Sequence, residues 1–192
     1  MRVIAGKAKG RQLRRVPGDT TRPITDRVKE NLFNILGEWV IQTRWLDLFA
    51  GTGQVGIEAL SRGANGVLFI DNARLAIKTI YFNLEKTGFL ESAQVIKTDS
   101  FRFLDLNLVN PFDVIFIAPP QYQKLWSRVL TVIDTKPDSY LRRDGMIIVQ
   151  IDPREYFEVD VKSIQLFDQR RYGNTMLCFY EVSSPTSNSI VH

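Results

Sequence analysis

Asp47-Leu48-Phe49-Ala50-Gly51-Thr52-Gly53-Gln54-Val55-Gly56 reads as the end of a strand, a glycine turn and the start of a helix. The apolar run Trp45 to Ala50 leads into it, and a helical stretch, Gln54 to Arg62, leads out. Gly51 and Gly53 permit a tight bend and the close approach of a ligand. Gly56 lets the helix lie close to the strand. In an open parallel sheet, ligands bind beyond the carboxyl ends of the strands. This turn is therefore expected to border a binding crevice.

Working outward, apolar runs alternate with helical stretches. Val67 to Asp71 is a second strand, followed by a helix over Ala73 to Lys86. Gln94 to Asp99 is a third strand, with a short helix through Phe101 to Leu106. Asp113 to Ala118 is a fourth, followed by a helix over Lys124 to Asp134, and Met146 to Ile151 is a fifth. The alternation predicts an α/β fold with helices on both faces of a parallel sheet. The ending differs. Val161 to Arg171 and Thr175 to Val182 flank Tyr172-Gly173-Asn174 without an intervening helix, so the last strand is expected to run antiparallel. No internal repeat and no second domain is evident.

Upstream, Val3-Ile4-Ala5 and Arg11-Gln12-Leu13 bracket a Gly6 to Gly10 turn and predict a short hairpin. A loop follows through Pro17-Gly18-Asp19 and Arg22-Pro23. Thr25 or Asp26 can cap a helix whose apolar face is Val28, Leu32, Ile35, Leu36 and Trp39. The expected organisation is a basic extension over 1–24, a catalytic domain over 25–183 and a loose polar tail over 184–192.

Charge separates these parts. Residues 1–29 hold nine basic side chains against Asp19 and Asp26, a net of +7, whereas the whole 192-residue chain is +4. The remainder is thus net acidic. Such a concentration suits a grip on a polyanion, most simply nucleic acid; the plain alternative is a solvated terminus. Lys7, Lys9 and Arg11 are the first candidates. The single cysteine, Cys178, lies in the last apolar strand and reads as core; it excludes an internal disulfide. The chain lacks a signal-peptide pattern at its start and any apolar run long enough to span a bilayer. A soluble cytoplasmic protein is expected, with no membrane and no obligate protein partner.

Three strands end in aspartate. Asp47 precedes the glycine turn, Asp71 lies 24 residues after Asp47, and Asp99 closes the third strand. A carboxylate at Asp71 can accept both hydroxyls of a ribose. Asp99 can accept from the exocyclic amine of an adenine. An acid at Asp47 suits a cationic amino group. Singly, Asp47 or Asp99 could be a turn or cap residue; together they point to S-adenosylmethionine. Phe49, Asn72 and Ser100 complete the expected cofactor set. A phosphate-binding Walker loop is excluded because Gln54-Val55, rather than Lys-Ser/Thr, follows Gly53.

Phe112-Asp113-Val114-Ile115-Phe116-Ile117-Ala118-Pro119-Pro120-Gln121-Tyr122 is the second informative stretch. Its Pro-Pro exit presents carbonyls with no proline N–H to compete for them. Those carbonyls could accept from an amine about to be methylated, and Tyr122 could stack on a base. A rigid loop exit is the alternative.

Arg2-Val3-Ile4-Ala5-Gly6, Lys9-Gly10-Arg11 and Thr21-Arg22-Pro23-Ile24-Thr25-Asp26-Arg27-Val28-Lys29-Glu30 resemble the opening of the RsmD family of 16S rRNA guanine-N2 methyltransferases. Asp47 to Gly56 and Glu58-Ala59-Leu60-Ser61-Arg62-Gly63 continue the likeness, which runs in order through most of residues 2–180. The Arg-Pro-x-Thr-Asp-Arg block is its specific part. The resemblance implies a Rossmann-like, seven-stranded methyltransferase sheet with a reversed last strand. It implies methyl transfer to a guanine amine of rRNA or of a small-subunit particle. Asp47, Gly51, Gly53, Asp71 and Asp99 fall on the family's cofactor positions; Arg22, Thr25 and Arg27 fall in its N-terminal signature and join Lys7, Lys9 and Arg11 as candidate RNA contacts.

The family's usual Asp or Asn before Pro-Pro is here Ala118, and its aromatic is displaced by Gln121 to Tyr122. Carbonyls of Ala118 and Pro119 could serve as acceptors, or the Gln121 amide could, or the enzyme could be slow or inactive. Ala118, Pro119, Pro120, Gln121 and Tyr122 are thus the catalytic candidates. A sulfonium is already an activated leaving group, so no metal is expected. Two rivals stay open: an adenine-N6 DNA methyltransferase, and a non-catalytic rRNA-binding or assembly protein.

Overall fold

The computed structural model describes residues 1–18, 24–106 and 110–183. Seven strands form one sheet: β1 (Arg44–Asp47), β2 (Gly66–Asp71), β3 (Ala93–Lys97), β4 (Phe112–Ile117), β5 (Leu141–Ile151), β6 (Ile164–Tyr172) and β7 (Thr175–Val182). Their order is β3-β2-β1-β4-β5-β7-β6. The first five pair in parallel, and β7 runs antiparallel between β5 and β6. Strand order reverses between β1 and β4, which opens a crevice above their carboxyl ends.

The helices are α1 (Asp26–Leu36), α2 (Gln54–Ser61), α3 (Arg74–Thr87), α4 (Ser100–Leu104) and α5 (Leu125–Thr135). Two apolar clusters lie on opposite faces of the sheet. One joins Val28, Leu32 and Phe33 of α1 to Trp45, Val55 and Ile80; the other joins Leu46 and Ile115 to Phe103, Trp126 and Ile133. Central strand β4 is buried at five of its six positions, as a parallel strand covered on both faces must be. Gly56 permits the close approach of α2 to β2. A Cβ there would stand 2.4 Å from the Phe69 ring.

Thr25 caps α1: its hydroxyl accepts from the Val28 N–H at 3.3 Å. The expected apolar face is only partly realised. Val28, Leu32 and Leu36 are buried, but Ile35 and Trp39 are 42% and 37% exposed. Within α1 the inward face is Val28, Lys29, Leu32, Phe33 and Leu36, which leaves Ile35 outside it, and the helix stops before Trp39 in a 3₁₀ turn over Gly37–Val40. Phe33 stacks on Trp45 at 5.6 Å.

The expected short N-terminal hairpin forms: Arg2 pairs antiparallel with Gln12, and the Val3, Gly10 and Leu13 N–H groups donate to the Arg11, Val3 and Met1 carbonyls. It is also fastened to the body of the protein. The Ile4 and Ala5 N–H groups donate to the Glu58 carboxylate at 2.8 and 3.0 Å, and the Ala8 N–H donates to Ser61 Oγ at 2.9 Å. Val3, Ala8 and Leu13 are buried. The residues expected to form a loose tail, 184–192, lie outside those described, as do Asp19 and Arg22. Among the described residues no helix is long and apolar enough to cross a membrane.

Candidate active site

A crevice of about 1030 Å³ opens above β1 and β4. That is at the upper end of ordinary ligand pockets and has room for a nucleoside cofactor beside a second group. The structure brings to it Asp47, Phe49, Gly51, Asp71, Asn72, Asp99 and Ser100, together with Ala118, Pro119, Pro120 and Gln121. Of the predicted cofactor and catalytic residues, Gly53 and Tyr122 are absent from its wall. Gly53 sits behind it in the left-handed conformation (φ 73°) that starts α2.

The aspartates differ in their surroundings. Asp47 is buried, and desolvation pushes its carboxyl up to about 7; a Gly56 backbone N–H opposes the shift and Asp71 adds to it. Asp71 shapes the turn: one oxygen accepts from the Gly51 N–H and the other from the Ala73 N–H, each at 2.8 Å. Each carboxylate oxygen has a further lone pair for a ligand hydroxyl. Asp99 caps α4, accepting from the Phe101 and Arg102 N–H groups at 3.0 and 3.1 Å, and also faces the crevice. Ser100 donates from Oγ to the Leu48 carbonyl at 2.6 Å, tying α4 to the end of β1.

The loop after β4 is clamped from behind. Tyr122 donates its hydroxyl hydrogen to Asp152 at 3.0 Å and accepts from Arg154 at 2.6 Å, while its N–H donates to Glu155 at 2.7 Å. The Arg154 guanidinium bonded to Asp152 holds that carboxyl well below the usual range. Tyr122 and Lys124 both adopt positive φ, 61° and 54°. Each such non-glycine residue costs on the order of 1 kcal/mol or more, and persists only where its surroundings over-determine it. With Tyr122 held back, its neighbours Gln121 and Gln123 line the crevice. Asp113 is at the other end of β4, bonded to the Arg44 N–H and to Arg142.

The sequence missed Gln54 as a wall residue, because it reads simply as the first residue of a helix. Gln54 is buried, lines the crevice, and its Oε1 has no hydrogen-bond partner among the described residues. Leaving an amide oxygen so placed costs about 1–3 kcal/mol. A ligand that donates there would relieve that cost. Buried Asp47, the open side of Gly51, where a Cβ would meet nothing, and this acceptor fit a cofactor with a cationic amino-acid arm.

Of the candidate RNA contacts, Lys7, Lys9, Arg11, Thr25 and Arg27 are exposed. Lys9 and Arg27 border a shallow cavity shared with Asp26 and Glu30. Lys29 was counted in the basic surplus, but its charge is spent inside. Both its side chain and that of Glu58 are fully buried, 3.2 Å apart. Cys178 is core, as expected; burial pushes its thiol up to about 11.

The family model described as conserved hypothetical protein 95 matches residues 1–181. This chain belongs to the RsmD family. YlbH of Bacillus subtilis is 38% identical over 183 residues, covering 94% of this chain and 98% of that protein. Ribosomal RNA small subunit methyltransferase D of Haemophilus influenzae is 33% identical, covering 91% and 94%. The solved structure of Escherichia coli yhhF matches with a TM-score of 0.83 at 28% identity, covering 95% and 97%. The RsmD likeness thus spans both the basic N-terminal segment and the crevice.

Proposed function

We propose that this chain transfers a methyl group from S-adenosylmethionine to the exocyclic N2 of a guanine in small-subunit rRNA. The observation that carries the reading is the convergence of Asp47, Asp71 and Asp99 on one crevice with the Ala118-Pro119-Pro120 exit. Relatives named ribosomal RNA small subunit methyltransferase D support the choice of nucleic acid. The basic segment over 1–24 is read as the RNA-binding extension of a methyltransferase domain over 25–183.

When bound, S-adenosylmethionine would supply an activated methyl group on a sulfonium, so the residues here would need only to hold it, orient the amine and let the amine's proton pass to solvent. The protein's part is binding and alignment. Asp47 would hold the cationic arm, Asp71 the ribose and Asp99 the adenine amine. The guanine leaves its stack to enter the crevice. Carbonyls of Ala118 and Pro119, with the Gln121 amide beside them, orient the amine. Positioning supplies most of the acceleration. The missing carboxylate at Ala118 removes one acceptor, which costs roughly two to three orders of magnitude in rate.

Labelled cofactor incubated separately with naked rRNA, partly assembled small subunits and duplex DNA tests this. Label is expected in guanine N2 of small-subunit RNA. Label confined to DNA, or cofactor binding without transfer, would overturn the reading in favour of a DNA enzyme or a non-catalytic assembly protein respectively. Ala118→Asp is expected to preserve or raise the rate.

A further inference from the structure

Outside the crevice, the outer surface of α3 has an unusual composition. Leu75, Lys78, Phe82 and Lys86 follow the spacing i, i+3, i+7, i+11 and so form one stripe. The eleven helical steps from Leu75 to Lys86 make it about 17 Å long. Leu75 is 49% exposed and Phe82 39%. Lys78 and Lys86 are exposed between and beyond them, and Glu85 is the one acid in α3.

The N-terminal segment is laid along this stripe. Asn83 fixes it: its Oδ1 accepts from the Arg14 N–H at 2.8 Å and its Nδ2 donates to the Arg14 carbonyl at 3.1 Å. The Arg14 guanidinium is thereby placed over the Phe82 ring, 4.4 Å from its centroid. Arg11 donates from Nη1 to the Lys86 carbonyl at 3.0 Å. At its other end the stripe meets the crevice, whose wall includes Arg74 and Leu75. A solvated helix face would not gather an exposed Phe and Leu, two lysines and two positioned arginines around one acid.

We infer that this stripe is a track for single-stranded RNA flanking the target base, with cations for phosphates and an Arg14–Phe82 platform on which a base stacks. The partner follows from charge and shape. Aromatic platforms interleaved with cations are how proteins hold single strands, and the track leads into the crevice. The inference rests on the reading under Proposed function, and adds residues outside the N-terminal signature.

The test uses the full-length protein and a mixed-sequence single-stranded oligoribonucleotide, with binding followed by fluorescence anisotropy across a salt series. Lys78→Ala and Lys86→Ala are each expected to weaken binding and flatten the slope of log K against log salt by about 0.7, the value for one released single-strand phosphate contact. Phe82→Ala should weaken binding about tenfold or more with little change in slope. Arg143→Ala, an exposed cation at the far end of β5, should change neither. Cofactor affinity should be the same in all four variants. Wild-type behaviour in the α3 variants, or equal losses in Arg143→Ala, would overturn the track while leaving rRNA methylation standing. A wild-type protein that neither binds nor methylates RNA would overturn both.

Discussion

Asp47 is a carboxyl buried against the floor of the crevice, and its titration near pH 7 has two consequences. Between its ordinary value of 3.8 and about 7, the folded state holds a proton that the unfolded chain has released. The free protein should therefore lose stability as pH rises through that window and level off above it. A cationic ligand needs the ionised form. Its affinity should rise with pH up to about 7, by at most tenfold per unit, and then flatten. Calorimetric titration with S-adenosylmethionine and urea unfolding across pH would measure both slopes. Asp47→Asn should abolish them; slopes that persist in the variant would assign the titration elsewhere. Sequence placed Asp47 at the crevice from its position before the glycine turn. It could not show the burial that raises the pKa, because desolvation comes from neighbours distant in the chain. Gln54 was hidden for the same reason: whether an amide at a helix start is satisfied depends on what folds over it.

At the scale of elements, the β4 exit loop carries strain and the segment after β5 restrains it. Asp152→Ala removes the acceptor for Tyr122 and the partner of Arg154. The loop should relax from its positive-φ geometry, so backbone amides of 121–124 should exchange faster with solvent. Single-turnover methyl transfer should slow about ten- to a hundredfold, the effect of small misplacement at a reacting centre, while cofactor affinity is retained. Tyr122→Phe should produce a smaller version of both changes. Unaltered exchange and rate in Asp152→Ala would show that the clamp is dispensable. Strand and helix positions were legible in the sequence to within a few residues, because hydrophobic period and turn residues act locally. The exceptions are instructive. Ile35 and Trp39 fit the helical period, yet the inward face of α1 is rotated toward Lys29 and Phe33, and the helix ends before Trp39 is reached. Tyr122 follows Pro-Pro as a stacking residue would, yet Asp152 and Arg154, some thirty positions away, hold its hydroxyl outside the crevice wall.

For the whole molecule, the buried Lys29–Glu58 pair fastens the N-terminal segment to the sheet domain. Glu58 receives the Ile4 and Ala5 N–H groups and Arg62, while Lys29 donates to the Arg2 carbonyl at 2.6 Å. Burial pushes the Lys29 ammonium down in pKa and Glu58 opposes it. Removing one partner strands the other charge. Glu58→Ala should cost about 3–5 kcal/mol in urea unfolding, and residues 2–8 should become the first sites of limited proteolysis. Lys29→Met combined with Glu58→Leu should recover part of the loss, since replacing both charges leaves neither unpaired. A Glu58→Ala protein as stable as the parent would show that the segment docks by other means. The same contacts place Arg11 and Arg14 along α3, so a basic terminus becomes a surface of fixed shape.

The α/β alternation, the reversed last strand, the glycine turn, the three strand-end aspartates and the family are all legible in the linear chain. These rest on local backbone preference, on hydrophobic period and on motif spacing, all of which survive in a linear string. Which basic residues are available is settled by folding. Lys29 is consumed in the core and Arg14 is held over Phe82, because a charge is internal or external only once the chain around it has packed. Folding also decides how the Pro-Pro exit is presented, with Tyr122 bonded behind and Gln121 facing the crevice, since that orientation is set by hydrogen bonds between segments that only the folded sheet brings together.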